Sequence, residues 1–156
     1  MKVAFWAIGK TDEKYLLEGI EKYTKRLGNY LSFEYKELYI RQSQKIPSPL
    51  QHKQTERDEL LKIIKPTDFL ILLDEAGKEF NSVGFANFLQ KKFNDVSGNM
   101  IFLIGGAYGF HDDIYARANA KIALSQMTFT HQMVRLIFLE QLYRAMTILK
   151  NEPYHH

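Results

Sequence analysis

The sequence predicts an α/β fold: one parallel sheet with helices on both faces. Three observations predict it. Short β-favouring apolar runs alternate along the whole chain with segments whose apolar residues recur at helical spacing. Two of those runs, residues 69–73 and 100–104, are apolar throughout, as expected of strands covered on both faces. Several runs end in glycine or small polar residues, at the strand ends where such folds hold their ligands.

Residues 2–8 form the first strand, ending at Gly9. Thr11 or Asp12 is placed to cap a helix with Glu13 in its first turn. Leu16, Ile20, Tyr23 and Leu27 give that helix its apolar stripe, and Gly28 can close it. Glu18 with Lys22 and Glu21 with Lys25 are acid-first i,i+4 pairs, so the charge on this helix reads as a solvated face. Residues 32–39 alternate Phe33, Tyr35, Glu37 and Tyr39 with charged partners, which suggests a strand with one wet face near a sheet edge. Residues 41–49 are polar, contain two prolines and read as a loop. Residues 51–64 form a polar helix with few apolar anchors (Leu60, Leu61, Ile64), and Pro66 marks its end. After the strand at 69–73, residues 74–78 turn the chain. Ser82 can cap a helix whose face is Phe85, Phe88, Leu89 and Phe93. The strand at 100–104 ends in Gly105 and Gly106. A short helix over 111–118 leads to a short strand at 121–124. After a loop at 125–130 the last helix runs from His131 to Leu149, ended by Asn151, Glu152 and Pro153. Nothing on either side of the 41–49 loop is large enough to stand alone, so residues 1–156 are read as one domain.

The chain has 156 residues, 46% hydrophobic and 25% charged, the balance of an ordinary globular protein. Cysteine is absent, which excludes disulfides, thiolate metal sites and a cysteine nucleophile. Histidine spacing matches no metal motif, so no metal is expected. The first apolar run is too short for a signal peptide and none approaches a membrane span, so a cytoplasmic protein is expected. A net charge of +3 permits a polyanionic partner without demanding one.

The last third carries the chemistry. Gly105, Gly106 and Gly109 follow a strand and open a helix, but Ile104 stands where a dinucleotide fingerprint needs its first glycine. No phosphate-cradling loop and no nucleophile elbow of the GxSxG kind is present. The glycines still allow close backbone approach to a ligand. The loop Ser125, Gln126, Met127, Thr128 and Phe129 offers backbone groups between apolar walls, which suits an adenine ring. The last helix is apolar on more than one face, so it is either buried or in a subunit interface, and a homodimer is favoured. The chain closes on Tyr154, His155 and His156. An aromatic and histidines can stack on a base and handle a proton near neutral pH.

Several motifs together go further. Ala7, Gly9, Lys10 and Tyr15, the KRLG of 25–28, the FLIGGAYG of 102–109, the LSQMTFTHQMVR of 124–135, the EQLYRA of 140–145 and the closing EPYHH closely resemble the ribosomal RNA large-subunit methyltransferase H family. This is the minimal, single-domain branch of the SPOUT methyltransferases. Departures are mild: Thr130 replaces a common proline and His156 a common basic residue. The resemblance spans nearly the whole chain. It implies a C-terminal trefoil knot and S-adenosylmethionine as cofactor. It also implies methylation of N3 of a pseudouridine in helix 69 of 23S rRNA, on assembled ribosomes. Carried over by position, Leu73, Gly105, Leu124, Ser125, Gln126, Met127, Thr128 and Phe129 bind the cofactor. His155 and Tyr154 are the expected catalytic pair, with Arg135 holding a phosphate or the developing anion. Arg144 and His131 are expected to face RNA. The alternatives are a non-catalytic ribosome-associated module and a tRNA ribose 2′-O-methyltransferase of the same superfamily.

Overall fold

The computed structural model describes residues 1–156. Its elements are β1 (Val3–Ile8), α1 (Lys14–Leu27), β2 (Phe33–Leu38), α2 (Pro49–Ile63), β3 (Phe69–Glu79), α3 (Ser82–Asp95), β4 (Met100–Ile104), α4 (Asp112–Arg117), β5 (Ala120–Ala123) and α5 (Met133–Leu149). The five strands pair in parallel in the order β2-β1-β4-β3-β5. This is the α/β class the sequence predicts, with β2 at an edge.

Alternation along β1 fills both faces. Val3, Phe5 and Ala7 enter one core, Ala4, Trp6 and Ile8 the other. The first core is closed by α1, α3 and α5 through Ile20, Leu89 and Phe138. The second is closed by α2 and α4 through Leu60 and Ile114. Phe138 is fully buried, its ring centroid 4.7 Å from that of Phe5 and 4.8 Å from that of Phe102. The last helix, α5, is therefore the central helix of the larger core, flanked by α1 and α3. That accounts for its apolar residues on more than one face.

The chain leaves β1 and β3 for helices on the first face, but leaves β4 for α4 on the second. A crevice opens where neighbouring strands send the chain opposite ways. Here it opens beyond the end of β4.

Several local expectations give way to tertiary contacts. Neither Thr11 nor Asp12 caps α1. Glu13 holds the cap position without a side-chain bond, because Thr11 is drawn wholly inside. Neither acid-first pair on α1 closes; Lys22 and Arg26 lie over the Tyr23 ring instead. Pro49, read as loop, is the first residue of α2. Ser48 accepts from the Gln51 N–H at 3.2 Å while the Gln51 side chain accepts from the Ser48 N–H at 2.9 Å, and proline is preset for a first turn. Asn81, not Ser82, caps α3. The turn expected at 74–78 is an excursion within β3, which resumes pairing afterwards. Ile122 of β5 meets both Leu73 and Lys78. Gly77 allows this: a side chain there would come within 2.5 Å of the Ile122 backbone.

Candidate active site

Three of the strand ends marked in the sequence converge on one crevice. Leu73 from β3, Gly105 and Gly106 from β4, and Leu124, Ser125, Met127, Thr128 and Phe129 after β5 form its walls. It holds about 780 Å³ including its open mouth, within the range of small-molecule sites. A side chain on Gly105 would press the Phe110 ring at 3.2 Å, so glycine keeps the floor thin. The Met127 N–H donates to Ser125 Oγ at 2.9 Å, which curls the loop around the opening. Gln126 belongs to the same loop but is not part of the wall. His131, just before α5, and Val134 in its first turn complete it.

Asp74, at a strand end marked in the sequence, and Glu75, read there only as a turn residue, also line the crevice. Tyr115 Oη donates to Asp74 Oδ2 at 2.6 Å. Burial, then this carboxylate, pushes the Tyr115 phenol up to about 12, so it remains a donor at neutral pH. Their position at the end of a strand was the signal available.

Arg135 is not brought to the crevice. It was expected to hold a phosphate or the developing anion, but only 1% of its surface is exposed. Its guanidinium donates to Ile8 O at 3.0 Å, Gly9 O at 2.8 Å and Thr11 Oγ1 at 2.9 Å, and lies 3.4 Å from Glu37 Oε2. Gly9, at φ 90°, turns β1 so that these carbonyls face inward. Burial would raise the Glu37 carboxyl, but hydrogen bonds from Thr11 and Tyr35 outweigh it and hold it below its ordinary value. Arg135 therefore ties α5 to the end of β1, and no nitrogen is left for RNA.

The tail folds back on the other end of α5. Asn151, at φ 56°, reverses the chain. Tyr154 Oη donates to Glu140 Oε1 at 3.0 Å, and its ring lies 4.9 Å from that of Tyr143. Arg144 bonds Glu140 at 2.7 Å, stands 4.8 Å from the Tyr154 ring and reaches His155 Nδ1 at 3.3 Å. Burial and the Tyr23 and Glu140 contacts push the Tyr154 phenol well above its ordinary value. Val134 in the crevice and Arg144 at the tail are ten residues apart, about 15 Å along the helix. Within one chain Tyr154 and His155 do not reach the crevice.

One buried titratable group was missed. Glu56 of α2 is 4% exposed, and burial alone pushes its carboxyl up to about 7. It recurs at i,i+4 spacing with Leu60 and Ile64, both buried. That stripe was readable, had the acid been allowed into it. No cluster of three or more acidic or histidine side chains stands close enough to hold a metal, and no helix is long and apolar enough to cross a membrane.

Comparison with known proteins agrees with this geometry. A family model described as predicted SPOUT methyltransferase matches residues 1–155. Among curated proteins, the ribosomal RNA large subunit methyltransferase H of Cytophaga hutchinsonii is 56% identical over 156 residues, covering all of both chains. Those of Flavobacterium psychrophilum and Parabacteroides distasonis are 54% and 49% identical, over all of this chain and 99% of each relative.

Proposed function

This chain belongs to the SPOUT methyltransferase family, in the branch of the ribosomal RNA large subunit methyltransferase H proteins, and from that premise we propose the following reaction. The enzyme transfers a methyl group from S-adenosylmethionine to N3 of a pseudouridine in helix 69 of 23S rRNA, on assembled cytoplasmic ribosomes, as a single-domain homodimer. The observation that carries the proposal is the crevice beyond β3, β4 and β5, walled by all but Gln126 of the residues the family resemblance assigns to the cofactor.

The crevice suits that cofactor. A floor of two glycines, apolar walls and the backbone of residues 124–129 offer what a flat purine and a flexible amino-acid tail need. Leu73, Gly105 and residues 124–129 would hold it. When bound, it supplies a methyl group activated by a positively charged sulfur. The protein's own task is alignment and exclusion of water. His155 accepts the proton that the imide nitrogen must lose, and Tyr154, held protonated, stacks on or orients the base. Arg144, fixed by Glu140, presents positive charge beside them.

The rise of about 15 Å along α5 from Val134 to Arg144 supports a composite site, each subunit's crevice closed by the partner's tail. Membership of the SPOUT family supports a C-terminal segment threaded as a trefoil knot. A net charge of +3 is a weak footprint for naked RNA, so recognition rests on a formed ribosomal surface.

The test is transfer of labelled methyl to ribosomes lacking this modification, with free 23S rRNA and bulk tRNA alongside. Label is expected at the helix 69 pseudouridine of ribosomes. Label on tRNA ribose, or none on any substrate, would replace this reading. His155→Ala should lower turnover roughly 100-fold or more and leave cofactor affinity near wild type; unchanged turnover removes His155 from the reaction.

A further inference from the structure

The helix α2 carries a buried carboxyl that the proposed transfer does not use. Glu56 faces the floor of the crevice from behind. A side chain built on Gly106 would bring its first carbon to 3.5 Å from Glu56 Oε1, and Gly106 itself lines the crevice. Only one residue without a side chain separates the carboxyl from the space a ligand fills.

This carboxyl has no lysine or arginine partner. The only basic group within 4.0 Å is His52, whose Nε2 lies 3.5 Å from Oε1. The other ring nitrogen of His52 is buried without a partner, and its ring meets Tyr108 of the β4–α4 loop edge-on at 5.4 Å. The next residue, Arg57, is committed elsewhere, to Asp58 at 2.9 Å and Asp113 at 3.1 Å. Asp74, Glu75 and His131 also line the crevice, and Asp74 already accepts from Tyr115 and from the Ala76 N–H. A nearly enclosed carboxyl without an opposite charge is costly unless it is neutral or a cation arrives.

We propose that Glu56 is the counter-charge for a cation carried by the cofactor, ionising behind Gly106 when the crevice fills. This rests on the reading that the crevice takes S-adenosylmethionine, which has two cationic centres, the sulfonium and the α-ammonium. Burial holds the empty-state carboxyl near 7, so about half the molecules carry its proton at neutral pH. A cation a few ångströms away favours the ionised form. Binding then expels the proton, and the linkage makes affinity rise with pH through this range.

Calorimetry at pH 7 in buffers of different ionisation enthalpy reads the expelled proton directly. Wild type is expected to release up to about half a proton per bound S-adenosylmethionine. Glu56→Gln should release none and bind about ten-fold more weakly, while melting as a folded protein. His52→Gln, which removes the other titratable group at the carboxyl, should still release it. S-adenosylhomocysteine keeps the ammonium and lacks the sulfonium. Release with both ligands assigns Glu56 to the ammonium, release with S-adenosylmethionine alone to the sulfonium. Unchanged release in Glu56→Gln overturns the proposal, as does no release by wild type, a result that needs no variant to fold. Failure of wild type to bind either ligand overturns the cofactor reading itself.

Discussion

Two buried charged residues show how much one side chain can decide. Arg135 and Glu56 both sit inside the protein, and their surroundings set opposite outcomes. Arg135 is satisfied by carbonyls, a hydroxyl and a carboxylate, so burial locks it in place. Glu56 has one histidine and no fixed cation, so burial works against its charge. Unfolded, a glutamate titrates near 4.5; folded, this one titrates near 7. Folding thus favours the protonated form, and the stability it lends is full below about pH 4.5 and lost as pH rises through 7. Glu56→Gln, which cannot ionise, should therefore be more stable than wild type at pH 8, by about 1–3 kcal/mol, and gain nothing at pH 4. Urea unfolding at the two pH values measures it; a variant less stable than wild type at pH 8 contradicts the burial argument. An acid kept at such a cost fits a site selected for binding rather than for stability.

The element that most departs from its sequence pattern is β3. Its pairing with β5 breaks at Leu73 and resumes at Lys78 on the same Ile122, and Gly77 leaves room for that double contact. Gly77→Ala places a carbon 2.5 Å from the Ile122 backbone nitrogen. It should cost about 1–3 kcal/mol and loosen the crevice wall, seen as a lower melting temperature together with weaker cofactor binding. Unchanged values would mean that the backbone there gives way freely. Nothing in the residues 74–78 announces this excursion, because a polar, glycine-containing stretch after a strand reads as a turn whether or not pairing resumes. The covered strands were legible since β1, β3 and β4 are apolar where both faces are packed. Helix α2 was only half legible. Its start hides in a proline that looks like loop, and its buried stripe begins with an acid. Leu73, Gly105 and most of 124–129 could be placed in one crevice because parallel strands bring their carboxyl ends together. Arg135 could not, since only the three-dimensional course of β1 puts Ile8 and Gly9 carbonyls within its reach.

At the scale of the whole molecule, α5 sets the distance between the crevice and the tail. Its first turn lines the crevice and its later turns hold the tail. If each site takes a crevice from one subunit and a tail from the other, two inactive variants restore one another. Ser125→Trp blocks the crevice and His155→Ala disables the tail. After unfolding and refolding together in equal amounts, about a quarter of wild-type turnover is expected, from half the dimers carrying one sound site of two. No recovery would place the tail beside its own crevice or outside the reaction.

The same separation has a meaning for inheritance. With such a composite site, injuries to the crevice and injuries to the tail would fall in different complementation groups of a single gene. A cell carrying one allele of each kind would then recover function that neither allele provides alone, while two alleles damaged at the same end of α5 would not. The length of one helix would thus divide a single gene into two genetically separable units.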